Sequence, residues 1–244
     1  MNYLSFLFDP GSWVGSQGIP ARLVEHLGYT ALTLLIAVLI AVPLGAWIGH
    51  TGRGGFLVVG LANGLRALPT LGLLVLIVGA VGLGLLGPIV ALVILAVPPI
   101  LAGAYAGVRN VDSAVVDAAR GMGMREREVL LGVELPNALP LIIGGIRSSV
   151  LQVISTATIA AYVALGGLGR FIIDGLAVRD YPKMVAGSLL VALLAIVADL
   201  LLAGLQKLLV SPGLRAAPAG PRRLRLVPSR SPDTAQNPGA APAA

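Results

Sequence analysis

The run Ala67–Val108, ALPTLGLLVLIVGAVGLGLLGPIVALVILAVPPILAGAYAGV, holds 42 residues without a single charge. A helix needs about 20 mainly apolar residues to cross a hydrocarbon core of about 30 Å. The run is therefore long enough for two spans, and the break at Gly82, Gly84, Gly87 and Pro88 divides it. Before it, Tyr29–Gly49 supplies an uncharged span. After it, Pro136–Gly169 contains a span interrupted only by Arg147, and Met184–Gln206 gives the last, with Asp199 as its single charge. That makes about five transmembrane helices. The stretch Gly54–Leu65 is apolar but only 12 residues long before Arg66. It reads as the start of the second helix, kinked near Pro69, with a separate short helix as the alternative.

Composition agrees. Of 244 residues, 57% are hydrophobic and 11% charged, where a soluble domain carries roughly a quarter charged. An ordinary soluble enzyme is excluded. Long unbroken apolar stretches also argue against a barrel, whose strands alternate over about ten residues. With no cysteine, disulfide scaffolds and thiolate sites are excluded. The two histidines, His26 and His50, lie far apart in the chain, so no metal site is expected. The fold class is an all-α integral membrane domain.

Lys and Arg in the loops orient it. One side carries twelve, from Arg53 to Arg230, and the other four: Arg22, Arg170, Arg179 and Lys183. The N-terminus is expected outside and the C-terminus in the cytoplasm. Although the net charge is +6, the cations sort by loop, which points to a lipid bilayer and not to nucleic acid. Residues 1–26 lack the basic start and cleavage site of a signal peptide and form an extracytoplasmic segment. The transmembrane domain is 27–209. The segment 210–244, with seven prolines and five arginines, reads as a disordered cytoplasmic tail.

Several chemistries are missing. Gly82–Gly87 fits G-x-G-x-x-G, yet it joins two spans and Pro88 follows, so it is a loop and not a dinucleotide site. There is no phosphate-binding G-x-x-x-x-G-K-[ST] motif, no paired carboxylates and no Ser/His/Asp set. The chain is not an enzyme, and its energy source is a partner or an ion gradient. Glycine pairs Gly45/Gly49, Gly60/Gly64 and Gly103/Gly107 suit close helix packing.

The informative segment is 109–137. Asp112 or Ser113 can cap a short helix running to Arg120. Gly121 and Gly123 then break it, Met124–Leu131 forms a second, and Gly132 with Leu135-Pro136 ends that one. Ala118 and Ala119 keep the surface low for another protein, and Arg125, Glu126, Arg127 and Glu128 offer mixed charge for register.

These residues resemble a known family. Asp117-Ala118-Ala119, Gly123 four residues on, and Val133-Glu134-Leu135-Pro136 look like the EAA loop of type I ABC-importer permeases, with Asp117 where the family usually has glutamate. The stretches Ala118–Met124 and Val133–Pro136 most resemble the osmoprotectant subgroup, which takes up glycine betaine, choline, carnitine or proline. Leu65–Thr70 and Gly166–Gly169 are similar to the same subgroup, though Gly166–Gly169 also resembles the methionine permeases and does not discriminate. The resemblance covers about residues 27–209. It implies a coupling helix, formed by Asp117, Ala118, Ala119, Gly121, Gly123, Arg125, Glu126, Leu135 and Pro136, that docks on a pair of separate ATPase subunits. ATP and magnesium then belong to that partner and no cofactor to this chain. It also implies a second permease chain, in a homodimer or heterodimer, and an extracytoplasmic solute-binding protein.

Span four carries Ser148, Gln152 and Ser155 with Thr156 and Thr158 nearby, either lining a path for a polar zwitterion or bonding helix to helix. Arg147 either snorkels or pairs near the inner gate. Arg66 with Asn63 poses the same choice, and Asp199 reads as a structural partner. Alternatives are a permease for methionine or another amino acid, and an ion-driven secondary transporter. The latter wants carboxylates near the bilayer midplane and internal repeats, which are not seen.

Overall fold

The computed structural model describes residues 3–82, 84–163 and 165–210, except the side chains of Val59, Asn63 and Arg66. The tail expected after Val210, and the side chains of the Asn63–Arg66 pair, therefore lie outside the described residues. Ten α-helices follow in order: α1 (Ser5–Phe8), α2 (Ile19–Thr51), α3 (Gly55–Ala67), α4 (Thr70–Val81), α5 (Leu86–Arg109), α6 (Ser113–Gly121), α7 (Glu126–Val129), α8 (Leu135–Ala160), α9 (Gly169–Val178) and α10 (Tyr181–Leu209). No strand occurs among the described residues.

Four helical stretches are long and apolar enough to cross a membrane: α2, α5, the stretch Glu126–Val163 that contains α8, and α10. The remaining expected span is two shorter helices. Leu68 adopts extended backbone (φ −74°, ψ 133°), as the residue before a proline must, because the Pro69 ring crowds the helical conformation. At 1.5 Å per residue, the 12 residues of α4 rise about 18 Å, short of a hydrocarbon core of about 30 Å. The separate short helix, the alternative in the sequence, is the one observed.

α5 runs through the middle of the bundle. Ala37 and Ala41 of α2, Ala96 and Ile100 of α5, and Val153 of α8 are all 0–1% exposed in one cluster. Small side chains bring the backbones together. A Cβ on Gly103 would lie 2.6 Å from Leu141 O and 3.0 Å from Gly145 Cα; one on Gly145 would lie 2.7 Å from Pro99 O. Gly45 and Gly49 likewise face α5, whereas Gly60 and Gly64 face open space. Two of the three glycine pairs are therefore packing seams.

The sequence expectation that Gly132 and Leu135-Pro136 end a helix is corrected. The helix begun at Glu126 continues through a π-turn, Leu130–Glu134, directly into α8. Pro136 has no N–H and its ring clashes with a normal α-helical turn. The wider turn absorbs it: Leu135 N–H bonds Leu130 O, five residues back.

Leu200, Leu201 and Leu208 on α10 are 66%, 69% and 85% exposed, which suits a helix whose outer face meets lipid. The N-terminal segment packs beside α9 and α10 through Phe6 and Leu7, against Ile19, Leu168 and Phe171.

Candidate functional site

At the end of α5 the chain leaves the bundle. The carboxylate of Asp112 accepts from Ala114 N–H at 2.9 Å and caps α6, which settles the choice between Asp112 and Ser113. The other end of α6 closes on Gly123, held at φ +86°. Met124 N–H bonds Ala119 O at 3.2 Å and Gly123 N–H bonds Arg120 O at 2.9 Å. Those two bonds form a Schellman turn, whose left-handed residue is best filled by glycine. Glu128 then reaches back to Arg125 N–H at 2.7 Å and fixes the start of α7.

A small core makes this projection rigid. Val116, Ala119 and Val129 are buried together, with Val111, Met124 and Val133 around them. Ala119 is 2% exposed, so the expectation that it lowers an outward surface is corrected: it faces inward. Ala118 and Gly121 do lie outward. Beside them Val115 and Met122 are 47% and 78% exposed, one helical turn either side of Ala118. This apolar ridge went unread in the sequence, although the spacing 115, 118, 122 marks it.

Charge ties the projection to the bundle. Arg120 grips Glu126 through two bonds of 3.0 Å and lies 3.7 Å from Asp117. That guanidinium holds the Glu126 carboxyl below its ordinary range. His50, in the last turn of α2, stands between two carboxylates. Its Nδ1 is 2.6 Å from Glu134 and its Nε2 is 3.2 Å from Glu126. Whichever ring nitrogen carries a proton donates to the carboxylate it faces. The Glu134 side chain is 6% exposed. Position alone hid this clasp, since 84 residues separate His50 from Glu134. Leu135 and Pro136 form the junction into α8, half-buried. None of the described His, Asp or Glu groups is arranged to hold a metal ion.

The residues expected on a path divide. Ser148 and Ser155 are exposed on α8, in a stripe with Leu141, Ile159 and Tyr162 that turns away from the bundle. Ser155 donates to its own helix at Leu151 O, 3.0 Å. Thr156 is 5% exposed and turned inward. Gln152 donates to Leu95 O at 3.3 Å, the carbonyl that Pro99, having no N–H, leaves without its helical partner. For Gln152 the helix-to-helix role is thus the one seen.

Arg147 forms a two-pronged ion pair with Asp199 of α10. A cavity of about 680 Å³ opens beside it between α5, α8 and α10, lined also by Asn110, Asn137 and Gln206. Removing one partner leaves an uncompensated charge in an apolar span, whereas replacing both does not. Asp199→Ala is expected to lower the monodisperse fraction on size exclusion more than Arg147→Met/Asp199→Leu does. Equal losses would show that the pairing contributes nothing.

Comparison with known proteins gives a consistent result. The family described as binding-protein-dependent transport system inner membrane component matches residues 41–211. A carnitine transport permease of Listeria monocytogenes is 35% identical over 196 residues, covering 80% of this chain and 90% of that protein. A choline transport system permease of Bacillus subtilis is 35% identical over 201 residues, covering 82% and 89%. An osmoprotectant import permease of Salmonella typhimurium is 32% identical over 220 residues, covering 88% and 100%. Among solved structures, an inward-facing form of the MetNI methionine ABC transporter superposes with a TM-score of 0.72 at 19% identity, covering 83% of this chain and 99% of that one. That likeness supports the fold alone.

Proposed function

Because the chain belongs to the binding-protein-dependent transport system inner membrane component family, we propose that it is the permease subunit of an ATP-driven importer for compatible solutes such as glycine betaine, choline or carnitine. The observation that carries this reading is the 109–137 projection. It is a rigid, capped, outward-facing two-helix unit with an apolar ridge at Val115, Ala118 and Met122, charge-tied to α2. A separate ATPase pair docks on that ridge and supplies the hydrolysis. The exposed stripe of α8 from Leu141 to Ile159 supports a path completed by a second permease chain. In this reading the projection is cytoplasmic, the N-terminal segment faces outside in a bacterial inner membrane, and a binding protein delivers solute there. The second reading, a methionine permease, has in its favour the shared fold and the Gly166–Gly169 element, which fits both readings.

Uptake of labelled glycine betaine decides between them. The chain is expressed with its ATPase and binding protein in cells lacking their own carriers. Uptake competed by choline or carnitine, and abolished by Gly123→Val, is expected. Valine at φ +86° costs about 1–2 kcal/mol in the turn that sets the projection. An assembled, ATP-hydrolysing complex that carries methionine and no betaine would replace the cargo.

A further inference from the structure

The end of the molecule opposite the projection carries a second cavity, of about 410 Å³, between the N-terminal segment, the start of α2, α9 and Lys183 of α10. It falls within the roughly 300–1,000 Å³ of small-molecule sites. Two of its cations are already engaged: Arg22 with Glu25 at 2.9 Å, and Arg170 with Asp174 at 2.7 Å. Lys183 lines the same cavity and its ammonium makes no ion pair among the described residues. Ser12 borders it too, but the residue is only 8% exposed and its hydroxyl oxygen is buried away from the open space. Asp9 spends one oxygen on Gly11 N–H at 3.1 Å and keeps the other. Phe6 and Phe171 meet edge to face, 5.4 Å between ring centres, and both border the cavity. An unpaired ammonium suits a carboxylate, while a free carboxylate oxygen beside the half-buried Phe6 ring suits a cationic ammonium group.

We propose that this cavity is a binding site for a small zwitterion bearing a carboxylate and an ammonium group, where solute is received before it enters the bundle. Its placement outside rests on the function proposed above. The residues concerned precede position 41, where the family match begins, except Arg170, Phe171, Asp174 and Lys183.

Trp13 lies between the cavity-lining Ser12 and Val14 and donates to Leu7 O at 2.8 Å, so its fluorescence reports on the site once Trp47 is replaced by Phe. The complex with its ATPase is reconstituted in nanodiscs with and without phosphatidylethanolamine and titrated with glycine betaine, methionine, acetate and tetramethylammonium. The expected result is a saturable response to a zwitterion, weaker or absent for acetate and tetramethylammonium. Lys183→Gln and Asp9→Asn should each weaken it by about tenfold, as loss of one charged contact predicts. No response to any zwitterion, or one unchanged in both variants, overturns the site, and if betaine uptake persists the transport reading stands. A response to methionine with no betaine uptake keeps the site and removes the betaine reading. A response abolished by phosphatidylethanolamine assigns the cavity to lipid headgroups and overturns the solute site.

Discussion

Gly103→Val is expected to lower the apparent melting temperature of the purified protein by about 10 °C, taking an overpacking cost of about 3 kcal/mol and about 2–4 °C per kcal/mol for a chain of this size. The cost is high because the obstacle is main chain. A Cβ at 103 meets Leu141 O at 2.6 Å and Gly145 N and Cα at 3.2 and 3.0 Å, and no rotamer change moves those atoms. The only relief is to part α5 from α8. Doing so opens the cluster of Ile100 and Val153 and lengthens the bond from Ser149 Oγ to Ala96 O, now 2.9 Å. In a membrane, close backbone approach supplies much of the attraction between helices, because lipid is as apolar as the side chains. Gly144→Ala is the control: it sits on α8, next to Gly145 of the seam, with nothing within 4 Å of the added carbon. It should leave the melting temperature unchanged or slightly raise it through helix propensity. Thermal unfolding of both variants in the same detergent checks the pair. A Gly103→Val variant that melts with the wild type would show that the seam is loose.

The contrast between these glycines marks what a sequence reveals. Spans show because about 20 apolar residues have few other uses, and Asp112 and Gly123 show because caps and turns are local. The pair Gly60/Gly64 looks the same in sequence as Gly103/Gly107, yet only the second has a helix opposite it. The same limit hid the pairing of Arg147 with Asp199: each was legible as a charge needing a partner, but 52 positions separate them. Pro136 misled for a different reason. Proline usually ends or kinks a helix, and the π-turn that lets the chain run straight through it leaves no composition of its own. Ala119 was misplaced because alternate faces of a nine-residue helix cannot be told apart until Val129 and Met124 fold over one of them.

His50→Ala is expected to reduce solute uptake by about tenfold, within the 5–150-fold range of ordinary coupling free energies, while the complex still assembles and hydrolyses ATP. The imidazole faces both Glu126, the first residue of α7, at 3.2 Å and Glu134, the last residue of the π-turn that follows it, at 2.6 Å. Through it a push on the projection reaches the last turn of α2, and α2 packs along α5 through Gly45 and Gly49. Without the ring, Arg120 still holds Glu126 at 3.0 Å, so the projection keeps its own shape and, on the function proposed above, its ATPase partner. Glu134, buried beside α2, loses its hydrogen bond instead. Hydrolysis should therefore continue while its motion is no longer transmitted. Glutamine at 50 has both N–H donors on one nitrogen, whereas the imidazole sets its two nitrogens toward different carboxylates, so His50→Gln should recover part of the transport and not all. A purely structural role would lower assembly, hydrolysis and uptake together. The measurement is the ratio of solute carried to ATP hydrolysed in proteoliposomes for wild type, His50→Ala and His50→Gln. An unchanged ratio in His50→Ala would place coupling elsewhere on the projection.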